Sequence, residues 1–165
     1  MSRPRAARWK PVLAAASAAA LVAAVGATMT DLGPWYQALN KPAWEPPDWL
    51  FGPAWTLIFS LTALAGVVAW RAAPDRSSGE WLIVLFAVNG ILNILWSALF
   101  FRLRRPDWAL VEVAFLWLSI VVLIIVTARY GRTASWLLVP YLAWVSFAAV
   151  LTLTVVELNS PLSNP

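Results

Sequence analysis

The sequence predicts an all-α membrane protein, a bundle of five transmembrane helices forming one domain over residues 1–165. Composition is the first observation: 61% of residues are apolar and 12% charged, where a soluble domain has about 45–50% and about 25%. The second is a set of five apolar runs, each near the length of about 20 residues that spans a bilayer. The third is that charge gathers in the segments between the runs. Five spans use about 100 residues, which leaves room for loops and tails and little for a separate soluble domain.

The first run covers about residues 12–30 and follows Arg3, Arg5, Arg8 and Lys10. A basic start, an apolar middle and small residues at the end also outline a signal peptide. The run is long for a signal core, and a retained helix is the reading adopted. Its small residues Ala15, Ala19, Ala23, Ala18 and Gly26 let neighbouring helices approach closely. The second run covers about 49–70, with Pro53 placed in its first turn, where a missing N–H costs little. The third, fourth and fifth cover about 81–101, 108–128 and 135–156, with Pro140 expected near the start of the fifth. Trp9, Trp70, Trp81, Trp108 and Trp136 fall at run ends, where indole rings favour the headgroup zone.

Basic residues set the orientation. The N-terminus and the second and fourth connections hold eight Lys and Arg against four on the other side, which favours a cytoplasmic N-terminus. Without the N-terminal tail the two sides are equal. The formal charge of +4 reads as membrane-surface charge rather than nucleic-acid binding, because no basic stripe lies on a polar helix.

Two absences exclude chemistry. The chain has no Cys and no His, so it carries no disulfide, thiol nucleophile, Ser-His-Asp triad or imidazole haem ligand. No metal site is expected and no cofactor is required. No two carboxylates share a helix face at close spacing, which argues against a paired-carboxylate hydrolase or proton relay.

Polar residues inside the apolar runs each call for a partner or a role. Asn89 and Asn93 lie one turn apart in the third run, on a face continued by Trp96 and Phe100. They read either as amides bonding other helices or as ligand contacts. Glu112, one turn after Trp108, reads either as an interfacial carboxylate or as a group pointing inward to a cation or loop backbone. Glu157 at the end of the fifth run reads as solvated. Aromatic stripes on the second run (Trp55, Phe59) and the fifth (Pro140, Trp144, Ala148, Leu151) suggest several helices facing one interior, as the walls of a small-molecule site do.

The segment 31–48 is dense in Pro and Trp. From Trp35 to Trp55 it reads WYQALNKPAWEPPDWLFGPAW, stiffened by its prolines and given its own apolar surface by its indoles. It reads as a packed lid over the bundle mouth, or as a segment lying on headgroups.

This string resembles the signature of the translocator protein family, also called tryptophan-rich sensory protein or peripheral benzodiazepine receptor. Asn93-x-x-Trp96 with Phe100-Phe101, then Trp108-Ala109-Leu110-Val111-Glu112, is similar to its third and fourth helices. The run Pro140-Tyr141-Leu142-Ala143-Trp144 onward is similar to its fifth. The resemblance runs in order from about Trp35 to Asn159. It implies a five-helix protein, commonly a homodimer, with a pocket beneath the first loop that takes porphyrins such as protoporphyrin IX or haem, cholesterol in animal members, and benzodiazepine-site drugs. Carried over by motif position, the ligand-binding residues are Trp55, Asn93, Trp96, Trp108, Trp144, Ala148 and Leu151, with Trp44 and Trp49 in the lid. Some bacterial members are linked to light-dependent porphyrin breakdown that depends on tryptophans at the positions of Trp55 and Trp144.

Three departures stand out. Leu153 and Glu157 occupy the positions of the Tyr and basic residue in the animal sterol motif, Thr152 replaces an Asn, and Phe59 replaces a Tyr. The expectation is a membrane protein that binds tetrapyrroles or other hydrophobic ligands as sensor, carrier or regulator. Lys41, loop N–H groups and Asn93 would be the donors to propionates, and the absence of His favours metal-free porphyrin or haem held without imidazole. The alternatives are a Trp-dependent photo-oxidative enzyme, a passive transporter, and a scaffold without ligand.

Overall fold

A computed structural model of the chain describes residues 5–160. Arg3, and the side chains of Arg5 and Arg8 on which the orientation count leans, lie outside the described residues. The described part is helical: α1 Arg5–Met29, α2 Pro34–Ala38, α3 Asp48–Ala72, α4 Arg76–Ser97 running into a π-helical segment Ala98–Arg102, α5 Pro106–Ala128 and α6 Arg132–Leu158. Five of these (α1, α3, α4 with its π segment, α5 and α6) are long and apolar enough to cross a membrane, and no strand occurs among the described residues. In lipid this is expected, because a helix satisfies every backbone group within itself.

Local sequence sets the ends. Pro47 precedes α3, and Asp48 lies in its first turn, where a carboxylate meets the positive end of the helix dipole. Asp75 caps α4 by accepting a 2.7 Å bond from the Ser78 backbone N–H. That bond holds its carboxyl below the usual range. Pro106 sits at the first position of α5, where its missing N–H is not needed.

Two prolines lie deeper than expected. α3 begins at Asp48, so Pro53 falls in its second turn. α6 begins at Arg132, so Pro140 is more than two turns in rather than near the start. The polar stretch after Gly131 winds into helix instead of serving as loop. In both cases the carbonyl one turn back, on Trp49 or Trp136, loses its intrahelical partner; both residues are exposed.

The helices form a closed ring. α1 packs on α3, α3 on α6, α6 on α5, α5 on α4, and α4 back on α1. Small residues allow the close approaches: a Cβ on Gly90 of α4 would stand 3.0 Å from Val22 of α1. Ile58 of α3, Val113, Leu116 and Ile120 of α5, and Tyr141 and Val145 of α6 make one buried cluster. A second, of Tyr36, Phe100, Phe101, Ala109 and Val155, lies under the first connection.

Candidate functional site

The connection between α1 and α3 is a lid with one short helix, α2, and its anchor is Tyr36. The Tyr36 ring is 4% exposed and packs on Phe100 and Phe101, with centroids 6.4 and 5.5 Å away. The π-helical segment carries both phenyl rings. Its wider turn, closed by the Leu103 N–H bonding the Ala98 carbonyl at 2.9 Å, leaves these two consecutive side chains both buried. Such segments often mark functional sites.

Polar contacts fasten the lid. The Tyr36 hydroxyl donates to Glu45. Lys41 sits 3.3 Å from the same carboxylate and 4.0 Å from the centre of the Tyr36 ring. Burial first, then the bond to Glu45 and the charges of Glu45 and Asp48, push the phenol well above its ordinary range. A second clasp joins the lid to the end of α6. The Asn40 backbone N–H donates to Asn159 Oδ1, and Asn159 Nδ2 donates back to the Asn40 carbonyl, each at 2.9 Å. On the other side of the lid, Arg104 holds a positive φ of 54°, uncommon for a residue other than Gly, and its guanidinium lies 5.9 Å from the Trp35 ring.

Beneath the lid lies a cavity of about 30 Å³, comparable to the volume of about one water. Its walls are aromatic: Phe51 of α3, Trp96 of α4, Phe100 and Phe101 of the π segment, and Trp144 and Phe147 of α6, with Tyr36 as roof. Ala148 and Leu151 complete the α6 wall. The rings meet edge to face, Phe51 with Trp144 at 5.9 Å and Trp55 with Trp144 at 6.4 Å, a favoured arrangement for aromatic quadrupoles. The buried indole N–H of Trp96 has no hydrogen-bond partner.

The residues singled out from sequence divide into three groups. Trp96, Trp144, Ala148 and Leu151 line the cavity. Trp55 stands behind Trp144, stacked on Phe59 at 5.2 Å, and Trp44 of the lid contacts Phe147 at 5.7 Å. Asn93 is buried behind the cavity wall and donates to the Tyr141 hydroxyl at 3.1 Å. Trp49 and Trp108 are not brought to the cavity. Trp49 is 72% exposed and Trp108 52%, the latter with the Arg105 guanidinium 4.4 Å over its ring. Thr152 lines the cavity but commits its hydroxyl to the Ala148 carbonyl at 2.8 Å. Glu112 is buried, and neither carboxyl oxygen accepts a hydrogen bond. It therefore matches neither the interfacial nor the paired expectation.

The profile of the TspO/MBR family matches residues 12–158. The chain belongs to the TspO/MBR family. It is 42% identical to the Tryptophan-rich protein TspO of Chlorobaculum tepidum over 159 residues, which cover 91% of this chain and 98% of that protein. It is 31% identical to the Protein CrtK of Rhodobacter capsulatus over 86% of this chain and 88% of that one. With the pig Translocator protein it shares 33% identity over 71% of this chain and 70% of that one. TspO/MBR membership and five spanning helices make the chain an integral, multi-pass membrane protein.

Sequence reasoning passed over several residues of this TspO/MBR site. Tyr141 appeared only as part of a motif, although a tyrosine directly after Pro140 in an apolar run is a hydroxyl seeking a partner. Ser119, which accepts from Asn89 at 2.8 Å, was not singled out, and Asn159 figured only as the end of the resemblance. The π segment has no sequence signal that we can name.

Proposed function

We propose that this chain binds porphyrins, such as protoporphyrin IX, and other flat hydrophobic molecules in the pocket under the lid, and acts as sensor, carrier or regulator of tetrapyrrole levels. The observation that carries the reading is the convergence of Phe51, Trp96, Trp144 and Phe147, from three separate helices, on one roofed cavity. A macrocycle stacks on indole and phenyl faces, and the free Trp96 N–H is a donor in otherwise apolar walls. A cavity of about 30 Å³ is far smaller than a tetrapyrrole. Binding therefore requires Tyr36 to lift and the Trp144 and Phe147 rings to turn, so entry is coupled to lid opening. Lys41, now 3.3 Å from Glu45, exchanges that carboxylate for a propionate at the mouth.

Titration with protoporphyrin IX, followed by tryptophan quenching in nanodiscs, tests this function. Saturable quenching that weakens about tenfold or more in Trp144→Ala is expected. Linear, non-saturating quenching in both proteins overturns it. A second reading, photo-oxidative porphyrin degradation, draws on the 6.4 Å contact of Trp55 with Trp144, which links an oxidisable indole beside the cavity to another behind it. Illuminated porphyrin that bleaches equally with and without protein removes that reading.

A further inference from the structure

The turn joining α4 to α5 closes on a residue whose side chain its backbone disfavours. The Leu103 N–H bonds the Ala98 carbonyl and the Arg105 N–H bonds the Leu99 carbonyl, each at 2.9 Å. Between them Arg104 lies in the left-handed region, at a φ of 54°. A residue that ends a helix there is usually Gly, because a Cβ is strained in that region. Strain of this sort collects at functional sites. The negative end of the α4 dipole favours a cation nearby, but a basic residue on relaxed backbone would serve it as well. Arg102, Leu103 and Arg104 are all exposed, and the α4 span ends at Arg102, which sets the three at headgroup level. Neither Arg102 nor Arg104 has a hydrogen-bond or carboxylate partner among the described residues. The contact of Arg104 with the Trp35 ring is a cation–π one and spends none of its N–H donors. The acids of this end are engaged elsewhere. Asp31 accepts from the Gly33 N–H, Glu45 holds Tyr36 and Lys41, Asp48 accepts from Gln37, and Asp107 holds Arg105. Glu157, exposed near the end of α6, pairs with neither arginine.

We propose that the turn bearing Arg102 and Arg104 is a binding site for the headgroup of an anionic phospholipid. The two guanidiniums bind the phosphate through charge-assisted N–H bonds, a geometry that arginine suits better than lysine. Leu103, 58% exposed between them, meets the acyl chains just below. That apolar contact is what favours a lipid over a soluble phosphate, which has nothing to offer it. The bilayer surface supplies such anions, and the protein supplies no acid in their place. The site also touches the lid. Trp35, which lies beside Arg104, packs on Phe100 at 6.2 Å, and Phe100 is a wall of the cavity. The proposal does not rest on the porphyrin reading.

The test uses the full chain in phosphatidylcholine nanodiscs doped with a photoactivatable phosphatidylglycerol or phosphatidylcholine. Each probe carries a diazirine near the glycerol end of one acyl chain, and labelled peptides are mapped by mass spectrometry. At equal doping, phosphatidylglycerol should label residues 99–108 about twenty-five-fold more than phosphatidylcholine, each arginine at a membrane surface being worth about fivefold. Arg102→Gln and Arg104→Gly should each cut that preference about fivefold, and the double variant should erase it. Arg104→Gly is the variant that spares the fold, since glycine takes a positive φ without strain. Its thermal unfolding should come at or above the parent's temperature while its lipid preference falls, a split that a merely structural arginine would not give. Arg76→Gln, at the other end of α4 and paired with Glu80, should leave labelling of 99–108 unchanged. Equal labelling by the two lipids, or a preference unchanged in Arg104→Gly, overturns the proposal. An equal fall in Arg76→Gln also overturns it, by reducing the preference to bulk attraction. So does loss of the labelling when millimolar inorganic phosphate is added, which would make a soluble anion the occupant.

Discussion

Asn93 can be glue or ligand contact, and the bond to Tyr141 allows a decision. Its Nδ2 donates to the Tyr141 hydroxyl at 3.1 Å, both residues being buried. An amide already committed across the α4–α6 gap has little to offer a ligand. Tyr141→Phe removes the acceptor of the Asn93 amide; Asn93→Leu removes that donor and leaves the hydroxyl with Asn89. Interhelical hydrogen bonds in membranes are worth about 0.6 kcal/mol on average and about 1.7 at most, so each single variant should lose that much. The double variant should lose no more than Tyr141→Phe, which already breaks the Asn93 bond, giving a coupling energy of about the same size. Unfolding of the four proteins in mixed micelles measures the cycle. Protoporphyrin titration of Asn93→Leu should give an affinity within about twofold of the parent, because less than about 0.4 kcal/mol of binding is at stake. Additive losses in the cycle would refute the reasoning. So would a large drop in porphyrin affinity with stability unchanged, which would return Asn93 to the ligand.

The lid supplies further tests. Asn159→Ala removes both bonds to Asn40; at about 1 kcal/mol for the pair at a partly exposed site, stopped-flow porphyrin association should speed up about fivefold, and an unchanged rate would show that the clasp does not limit opening. Tyr36 has a folded pKa raised above its unfolded value of about 10. Its contribution to lid order is therefore complete below pH of about 10 and is lost as pH rises beyond it. Limited proteolysis of the 31–48 segment should show the alkaline loosening, and Tyr36→Phe should abolish that pH dependence. At the other end of the scale, the Asp75 carboxyl is held below its unfolded value of about 3.9. Its capping contribution is present above that value and lost as pH falls through the lower folded one. Asp75→Ala should flatten the acid limb of a stability–pH curve.

Length and composition alone determined the five spans and the membrane as solvent. Run length against bilayer thickness is a one-dimensional measurement, and the Pro/Trp string between the first two spans marked a stiff segment that read as a lid or as a strap on the headgroups. Rotation of each helix about its axis was beyond the sequence. In a soluble bundle the apolar stripe points to the core, but here lipid-facing and core-facing sides are both apolar. Trp108 and Trp144 therefore look alike in sequence, although one faces outward beneath Arg105 and the other walls the cavity. Only the tertiary structure paired Asn93 with Tyr141 and Asn89 with Ser119, clasped Asn40 to Asn159 across the length of the chain, and buried Glu112 without a donor. Each depends on which helices are neighbours around the ring, and that is set by side-chain packing between segments far apart in sequence, a quantity no local pattern contains.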